Sequence, residues 1–500
     1  MDISFLYYSS PRQVPIDRLP ADVLRIVFQF VSLRKFSLNG MSTYFHPISA
    51  IRLSHVCHLW HDLSRDHSIL WTHIHPNNVR LSTFCLGMTK QSSLHVVISP
   101  DSSECCGISR EHPNSGASGI ICDILPRVTW LYFMPELQDL PTLVDIIWNQ
   151  ATPRLRCCQF NFLLLNEQIL ASPLADSSEI GNAIDIMAHS PPFQDSCCGL
   201  RRVIWQQYFP PLHSLCWDNL ESLTVGEGLR SMERSFTEWL SIISRSPAMS
   251  SLWINHDFQV NEVNQSLATP IVLERLHTLV LSGVSIQHVE TLFDHIRFPN
   301  LCFLRLYVNK TTSDDSILLL TKLMTNSGDI SSLIAHVETL TLETEGGFAK
   351  ITAYSNERPA SIYSLSAIFP TNVADWPTYI MKYSPQVTRL KVRCLPNKIL
   401  RKSGTIVLPK VTTLEIETLS RFPSLRGFAE NMTFPSLETL SIRPLIFPPA
   451  QQDLEYIGTM LRHSKSPKIV TCQSPQRFDD SYPSLVQFCS DFNIDLELRP

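Results

Sequence analysis

Glycine is scarce in this chain, with 16 residues in 500 against 34 prolines, so the turns cannot rest mainly on left-handed glycines. Many short elements halted by proline are the expectation instead. A dominant charge is missing too. Lys and Arg total 41 against 46 Asp and Glu, a formal net charge of −5, which excludes the basic field that holds nucleic-acid phosphates. No apolar run approaches the roughly 20 residues needed to cross a bilayer, so no membrane contact is expected. Residues 1–15 have no basic start leading into an apolar stretch, and Asp2 stands where a leader would carry positive charge.

Zinc and disulfide signatures are also wanting. The 14 cysteines include three adjacent pairs, Cys105–Cys106, Cys157–Cys158 and Cys197–Cys198, and no C-x-x-C. Neighbouring cysteines bridge poorly to each other, and zinc modules favour the C-x-x-C spacing. Reduced thiols in a cytoplasmic and/or nuclear protein are the expectation, and the sequons at Asn264, Asn309 and Asn431 are then chance matches. Catalytic signatures are absent: no G-x-S-x-G elbow, H-E-x-x-H helix or G-x-x-x-x-G-K-[ST] loop occurs. Gly226-Glu227-Gly228 lacks the third glycine of a dinucleotide turn. The expectation is a protein that is not an enzyme and uses no cofactor or metal. What is present, 44% hydrophobic and 17% charged residues, describes an ordinary folded chain.

The segment from Ile16 to Phe30 predicts a helix. Pro20 suits its first turn, Asp17 or Asp22 favours the positive end of the dipole, and Val23, Val27 and Val31 join Leu24 and Phe28 in one apolar stripe. After a looser stretch, Ser32 to Ser49, a second helix is expected where Leu53, Val56, Cys57, Trp60 and Leu63 recur at helical steps. Its His55, His58 and His61 fan over about 120° of helix surface and read as solvated or partner-facing rather than as metal ligands. Helices this short need a partner surface or the domain behind them to bury their faces.

These residues resemble a known family. Leu19-Pro20, Val23-Leu24 with Ile26-Val27-Phe28, Val56-Cys57-His58-Leu59-Trp60, and Ile69-Leu70-Trp71 follow the order of an F-box: a Leu-Pro start, a "V-C-x-x-W" helix and an "L-W" close. The resemblance runs from Ile16 to Pro76, with a longer insert at 32–49 than the compact pattern has. It implies docking onto a Skp-type adaptor of a cullin-based ubiquitin ligase, with Leu19, Pro20, Val23, Leu24, Phe28, Cys57 and Trp60 as contact or support residues.

Further along, an apolar-x-x-apolar-x-apolar pattern recurs. It begins as Val128-Leu131-Phe133, Leu155-Cys158-Phe160, Leu200-Val203-Trp205, Leu220-Leu223-Val225, Met249-Leu252-Ile254 and Leu276-Leu279-Leu281. It continues as Leu301-Leu304-Leu306, Val337-Leu340-Leu342, Val387-Leu390-Val392, Val411-Leu414-Ile416 and Leu437-Leu440-Ile442. Chance alone would supply the bare pattern on the order of 40 times. Leucine at nine of the eleven centres, and seven of ten spacings of 20–29 residues, lift it above chance. Proline precedes many of the motifs, at Pro153, Pro247, Pro299, Pro385, Pro409 and Pro435.

Helical stripes fall between, such as Phe236, Trp239, Leu240 and Ile243, then Val289, Leu292, Phe293 and Ile296, and late in the chain Leu454, Ile457, Met460 and Leu461. Strand, crossover helix, proline, strand resembles a leucine-rich repeat of the irregular kind, and implies a solenoid with a parallel sheet. Residues 99–119 and 343–361 read as polar loops. The expected layout is α/β: an F-box-like helical domain at 16–76, a linker and cap at 77–127, and a repeat domain at 128–500.

Residues flanking each central position should face the open side of the sheet. Aromatics and arginines there make the candidate target-binding face: Trp130, Tyr132, Trp253, Phe303, Arg305, Arg389 and Lys391. The function expected is a substrate-recognition adaptor, and the alternative is an interaction scaffold with no ubiquitin role.

Overall fold

The computed structural model describes residues 19–35, 43–45, 47–99, 116–162, 178–190, 192–197, 199–206, 217–226, 236–255, 270–284, 286–308, 338–345, 348–354, 364–370, 386–393, 406–418, 432–444, 455, 458–459, 462, 469–473, 487, 490 and 495–499. Its fold is mixed α/β, with strands that run largely parallel. The chain divides into two compact units, residues 1–206 with 213–218 and residues 207–212 with 219–500. The expected boundaries at 76/77 and 127/128 are not where it divides. The late stripe at Leu454, Ile457, Met460 and Leu461 lies outside the described residues.

The first unit opens with α1 (Ala21–Ser32). Pro20 caps it, with φ −52° and ψ 146°, where its missing N–H is no loss and its carbonyl accepts from Leu24 N at 3.1 Å. The loose stretch holds a small antiparallel pair, β1 (Leu33–Lys35) and β2 (Thr43–Phe45), and α2 begins within it at Pro47. The expected second helix is broken in two. α2 (Pro47–Ser54) stops, Cys57 turns extended at φ −160° and ψ 171°, and α3 (His58–Asp66) restarts with Cys57 as its cap. A 3-10 turn, Ser68–Trp71, closes the module, and the buried Trp71 indole donates to Ser64 O at 2.8 Å.

Five strands then pair in chain order, all parallel: β3 (His73–Ile74), β4 (Leu94–Ile98), β5 (Val128–Phe133), β6 (Cys157–Asn161) and β7 (Arg202–Gln206). Parallel neighbours need crossovers. These include α4 (Val79–Thr89), α5 (Gly116–Ile124), α6 (Leu140–Asn149) and α7 (Ser178–His189). Residues 77–127 thus carry two helices and a sheet strand, and the expected loop at 99–119 gives way to helix from Gly116. Leu140, Leu143, Val144, Ile147 and Trp148 form the buried stripe of α6, and the Trp148, Phe160 and Trp205 rings meet at centroid distances of 4.2–6.5 Å in the core.

In the second unit β8 (Ser222–Val225), β9 (Ser251–Ile254), β11 (Thr278–Val284) and β13 (Phe303–Val308) pair parallel in that order. α8 (Phe236–Ser244) and α9 (Ile286–His295) fall where the apolar stripes predict them. β17 (Arg389–Arg393), β19 (Thr413–Thr418), β21 (Thr439–Pro444), β22 (Ile469–Gln473) and β23 (Asp495–Arg499) form a second parallel run. Short parallel pairs, β10 (Ile271–Val272) with β12 (Ile296–Arg297) and β18 (Ile406–Val407) with β20 (Met432–Thr433), precede several of these strands.

The two runs are joined by an unexpected meander of β14 (Thr339–Glu345), β15 (Phe348–Tyr354) and β16 (Ser364–Pro370), placed in the order β13–β16–β15–β14–β17. β15 is antiparallel to both neighbours, so the all-parallel expectation fails there and the expected loop at 343–361 contains strand. Ala349, Ile351 and Ala353 alternate with Lys350 and Thr352, a period of two that outweighs the polar composition nearby.

All eleven motifs form strands, with their central residues side by side: Leu131–Cys158–Val203, Leu223–Leu252–Leu279–Leu304 and Leu340–Leu390–Leu414–Leu440. The prolines have a physical role. At Thr152, Ser246, Phe298 and Phe434 the carbonyl accepts from the N–H three residues on, at 3.0–3.2 Å, and proline follows as the second residue of the turn. Its fixed φ suits that position and its missing N–H is not needed there. The donor is the first apolar residue of the motif, so each turn sets the strand's register.

Candidate functional site

Three surfaces carry the candidate residues. The first is the helical module. On α1, Leu24 and Phe28 are 0% exposed, and Phe28 meets the half-buried Trp60 at 4.9 Å between centroids. They support α1 from within and cannot touch a partner. The single stripe read from the sequence is therefore two. Leu24, Phe28 and Ser32 face inward at four-residue steps, whereas Val23, Ile26, Phe30 and Val31 are exposed, Phe30 at 74%. Leu19, Pro20 and Cys57 are exposed, as are Val56 and Leu59 around the α2–α3 break. Ile26 and Phe30 were not among the expected contact residues.

His55 and His58 are exposed, and His61 faces Asp62 at 3.1 Å. Among the described residues no group of three His, Cys, Asp or Glu side chains can hold a metal ion. No helix among them is long and apolar enough to cross a membrane.

The second surface is the flanking face of the first unit's sheet, expected to be open at Trp130 and Tyr132. It is enclosed. Trp130 is 9% and Tyr132 0% exposed, and both pack with Val97 and Met134. Their rings stack at 6.3 Å with 10° between planes, while His95 and His73 approach Trp130 at 5.9 and 6.4 Å. Tyr132 Oη donates to Met134 Sδ at 3.3 Å and accepts from Asn161 Nδ2 at 3.3 Å. Burial pushes the Cys157 thiol up to about 11, against the opposing pull of Arg202 and a hydrogen bond with Trp130, so this thiol is inert at neutral pH. Burial likewise lowers His95. Both faces of β5 are covered, and alternation along one strand cannot reveal that. At the C-terminal ends of β4 and β5 lies a pocket of about 60 Å³, lined by Asn77, Ser99, Glu136, Asp139 and Thr142 among others.

The third surface is the corresponding face of the second unit, where Trp253, Phe303 and Arg305 are half-buried and Arg389 is exposed. Arg389 and Lys391 converge on Glu415, which is only 4% exposed. Arg389 donates to Glu415 Oε1 through Nε at 2.7 Å and also through Nη2, while Lys391 Nζ lies 3.4 Å from Glu415 Oε2 and 3.7 Å from Glu417. Burial raises the Glu415 carboxyl, but the Arg389 hydrogen bond and charge, with Lys391, hold it below its ordinary value. The basic patch expected at Arg389 and Lys391 is thus answered within the chain. Strand register brings Arg389 beside Thr413 and Lys391 beside Glu415, which spacing within one motif does not tell.

Fold and surfaces together define a mixed α/β protein whose strands run mostly parallel behind an N-terminal helical module bearing exposed apolar residues. No protein-family model and no curated protein matches the chain.

Proposed function

We propose that the chain is the substrate-recognition adaptor of an SCF-type (Skp–cullin–F-box) ubiquitin ligase. In this reading its N-terminal module docks on a Skp-type adaptor. The strands that follow form an irregular leucine-rich-repeat solenoid that captures a target protein. The observation that carries the proposal is the outward face of α1 with the α2–α3 break, where Val23, Ile26, Phe30, Val56 and Leu59 stand in solvent although their neighbours Leu24 and Phe28 already serve the core. A cluster of large apolar side chains without cover marks an association surface. Eleven motifs with aligned central residues support the repeat reading. Such an adaptor needs no nucleophile. It raises the effective concentration of target lysines near the charged conjugating enzyme.

The test is co-purification of the full chain with a Skp-type adaptor, as wild type and as Ile26→Asp/Phe30→Asp. Saturable binding that the folded double variant loses is the expected result. A folded wild-type chain that does not bind sinks the proposal and leaves an interaction scaffold with no ubiquitin role.

A further inference from the structure

On β9, β11 and β13 the register sets Trp253, Val280 and Arg305 side by side on one face. Parallel strands lie roughly 4.8 Å apart, so about 10 Å separates the tryptophan and arginine backbones, with buried Val280 as an apolar floor between them. Two residues along each outer strand, Asn255 and Tyr307 continue the face, and Arg305 Cζ lies 5.3 Å from the Tyr307 ring centroid. A guanidinium stacked on a ring is already oriented, so it loses less freedom when a planar anion binds its fork.

This patch is polar and incompletely satisfied. Trp253 Nε1, Arg305 Nε and Asn255 Oδ1 are out of solvent with no hydrogen-bond partner. Each such group costs stability, and native structures seldom retain them without a reason. Arg305 also has no carboxylate within ion-pair distance among the described residues, in contrast to Arg389 and Lys391, which share Glu415.

We infer that this patch receives an extended acidic segment of a partner protein, with one Asp or Glu carboxylate seated on Arg305 against Tyr307. The Trp253 indole N–H donates to a backbone carbonyl of that segment and Asn255 Oδ1 accepts from one of its N–H groups. The inference rests on the target-binding half of the proposed function and supplies the chemistry of the target. A carboxylate suits the site better than a phosphate. Phosphate carries nearly two charges and is held by clustered arginines, whereas the register neighbours of Arg305 are Val280 and Ser366. Because the Trp253 N–H and Asn255 Oδ1 are both occluded in the unbound chain, binding requires both side chains to turn, and the turn of the indole gives a spectroscopic signature.

The test passes pools of nonapeptides over the immobilised full-length chain, with the central residue fixed as Glu, Gln or phosphoserine and the others degenerate. Mass spectrometry measures what is retained. Wild type should retain the Glu pool about tenfold over the Gln pool, the worth of one charge-assisted hydrogen bond. Arg305→Met should erase that preference, and Arg305→Lys should keep a smaller one. The Trp253 indole resonance of ¹⁵N-labelled chain, assigned with Trp253→Phe, should shift with the Glu pool and not with the Gln pool. Equal retention of Glu and Gln, a preference that survives Arg305→Met, or stronger retention of phosphoserine overturns the inference. The wild-type resonance and Arg305→Lys keep it testable if Arg305→Met does not fold. Adaptor co-purification is scored separately. Adaptor binding without Glu selection defeats this inference alone, and Glu selection without adaptor binding defeats the ligase reading alone.

Discussion

Glu415 shows how one residue can decide the meaning of two others. Arg389 and Lys391 look like a basic recognition patch until the carboxylate on the next strand is placed between them. A buried acid so paired gives the fold an acid sensitivity of fixed sign. Its pKa is lower folded than unfolded, so its stabilisation is present above the ordinary carboxylate value of the unfolded chain and is lost as pH falls through the folded value. Amide protection in residues 389–393 and 413–418, followed by hydrogen exchange, should therefore hold level above about pH 5 and decline below it. Glu415→Gln should lower protection by about 1–3 kcal/mol at neutral pH and remove most of the acid decline. A wild-type profile that stays flat into the acid range would remove the ion pair from the account of this sheet.

Helix α1 separates buried from exposed aromatic residues within two positions. Phe28 is enclosed against Trp60, and Phe30 stands in solvent. Phe28→Ala should cost about 3–5 kcal/mol of stability, the usual loss for emptying a buried aromatic site. Phe30→Ala should change stability by no more than about 0.5 kcal/mol yet weaken adaptor binding. Thermal unfolding and adaptor titration of the same two variants measure this, and equal destabilisation by both would place Phe30 in a core. The sequence reveals strands here better than faces. The motif is local, with a proline turn, a buried leucine and a period of two, so all eleven strands are legible. The meander of β14, β15 and β16 is not, since its order depends on pairings between distant segments. The burial of Trp130 and Tyr132 is equally non-local, being fixed by what covers the sheet rather than by the strand itself. Of the candidate contact or support residues, Leu19, Pro20, Val23 and Cys57 are exposed and Trp60 is half-buried, while Leu24 and Phe28 are inside because four-residue steps turn them inward.

Across the whole molecule, the two proposed activities use residues on different compact units. The docking face belongs to the unit containing residues 1–206 and the Arg305 patch to the unit containing residues 219–500. Contributions from sites without shared partners add independently, so each activity should be removable without the other. Ile26→Asp/Phe30→Asp should abolish adaptor binding and leave Glu-peptide selection intact, and Arg305→Met should do the reverse. The proposed adaptor role differs, because under it ubiquitin transfer requires both contacts to be made at once by one chain. Covalent continuity turns target encounter into an intramolecular event, and losing either contact returns that event to bulk concentration, a drop of about 10²–10⁴ in avidity. In a reconstituted reaction either variant alone should therefore bring target modification to the level seen without the chain, although each retains one binding activity. Transfer that falls only in proportion to the weaker binding would mean that the two contacts do not act through one chain, and the adaptor mechanism would fail even if both surfaces bind.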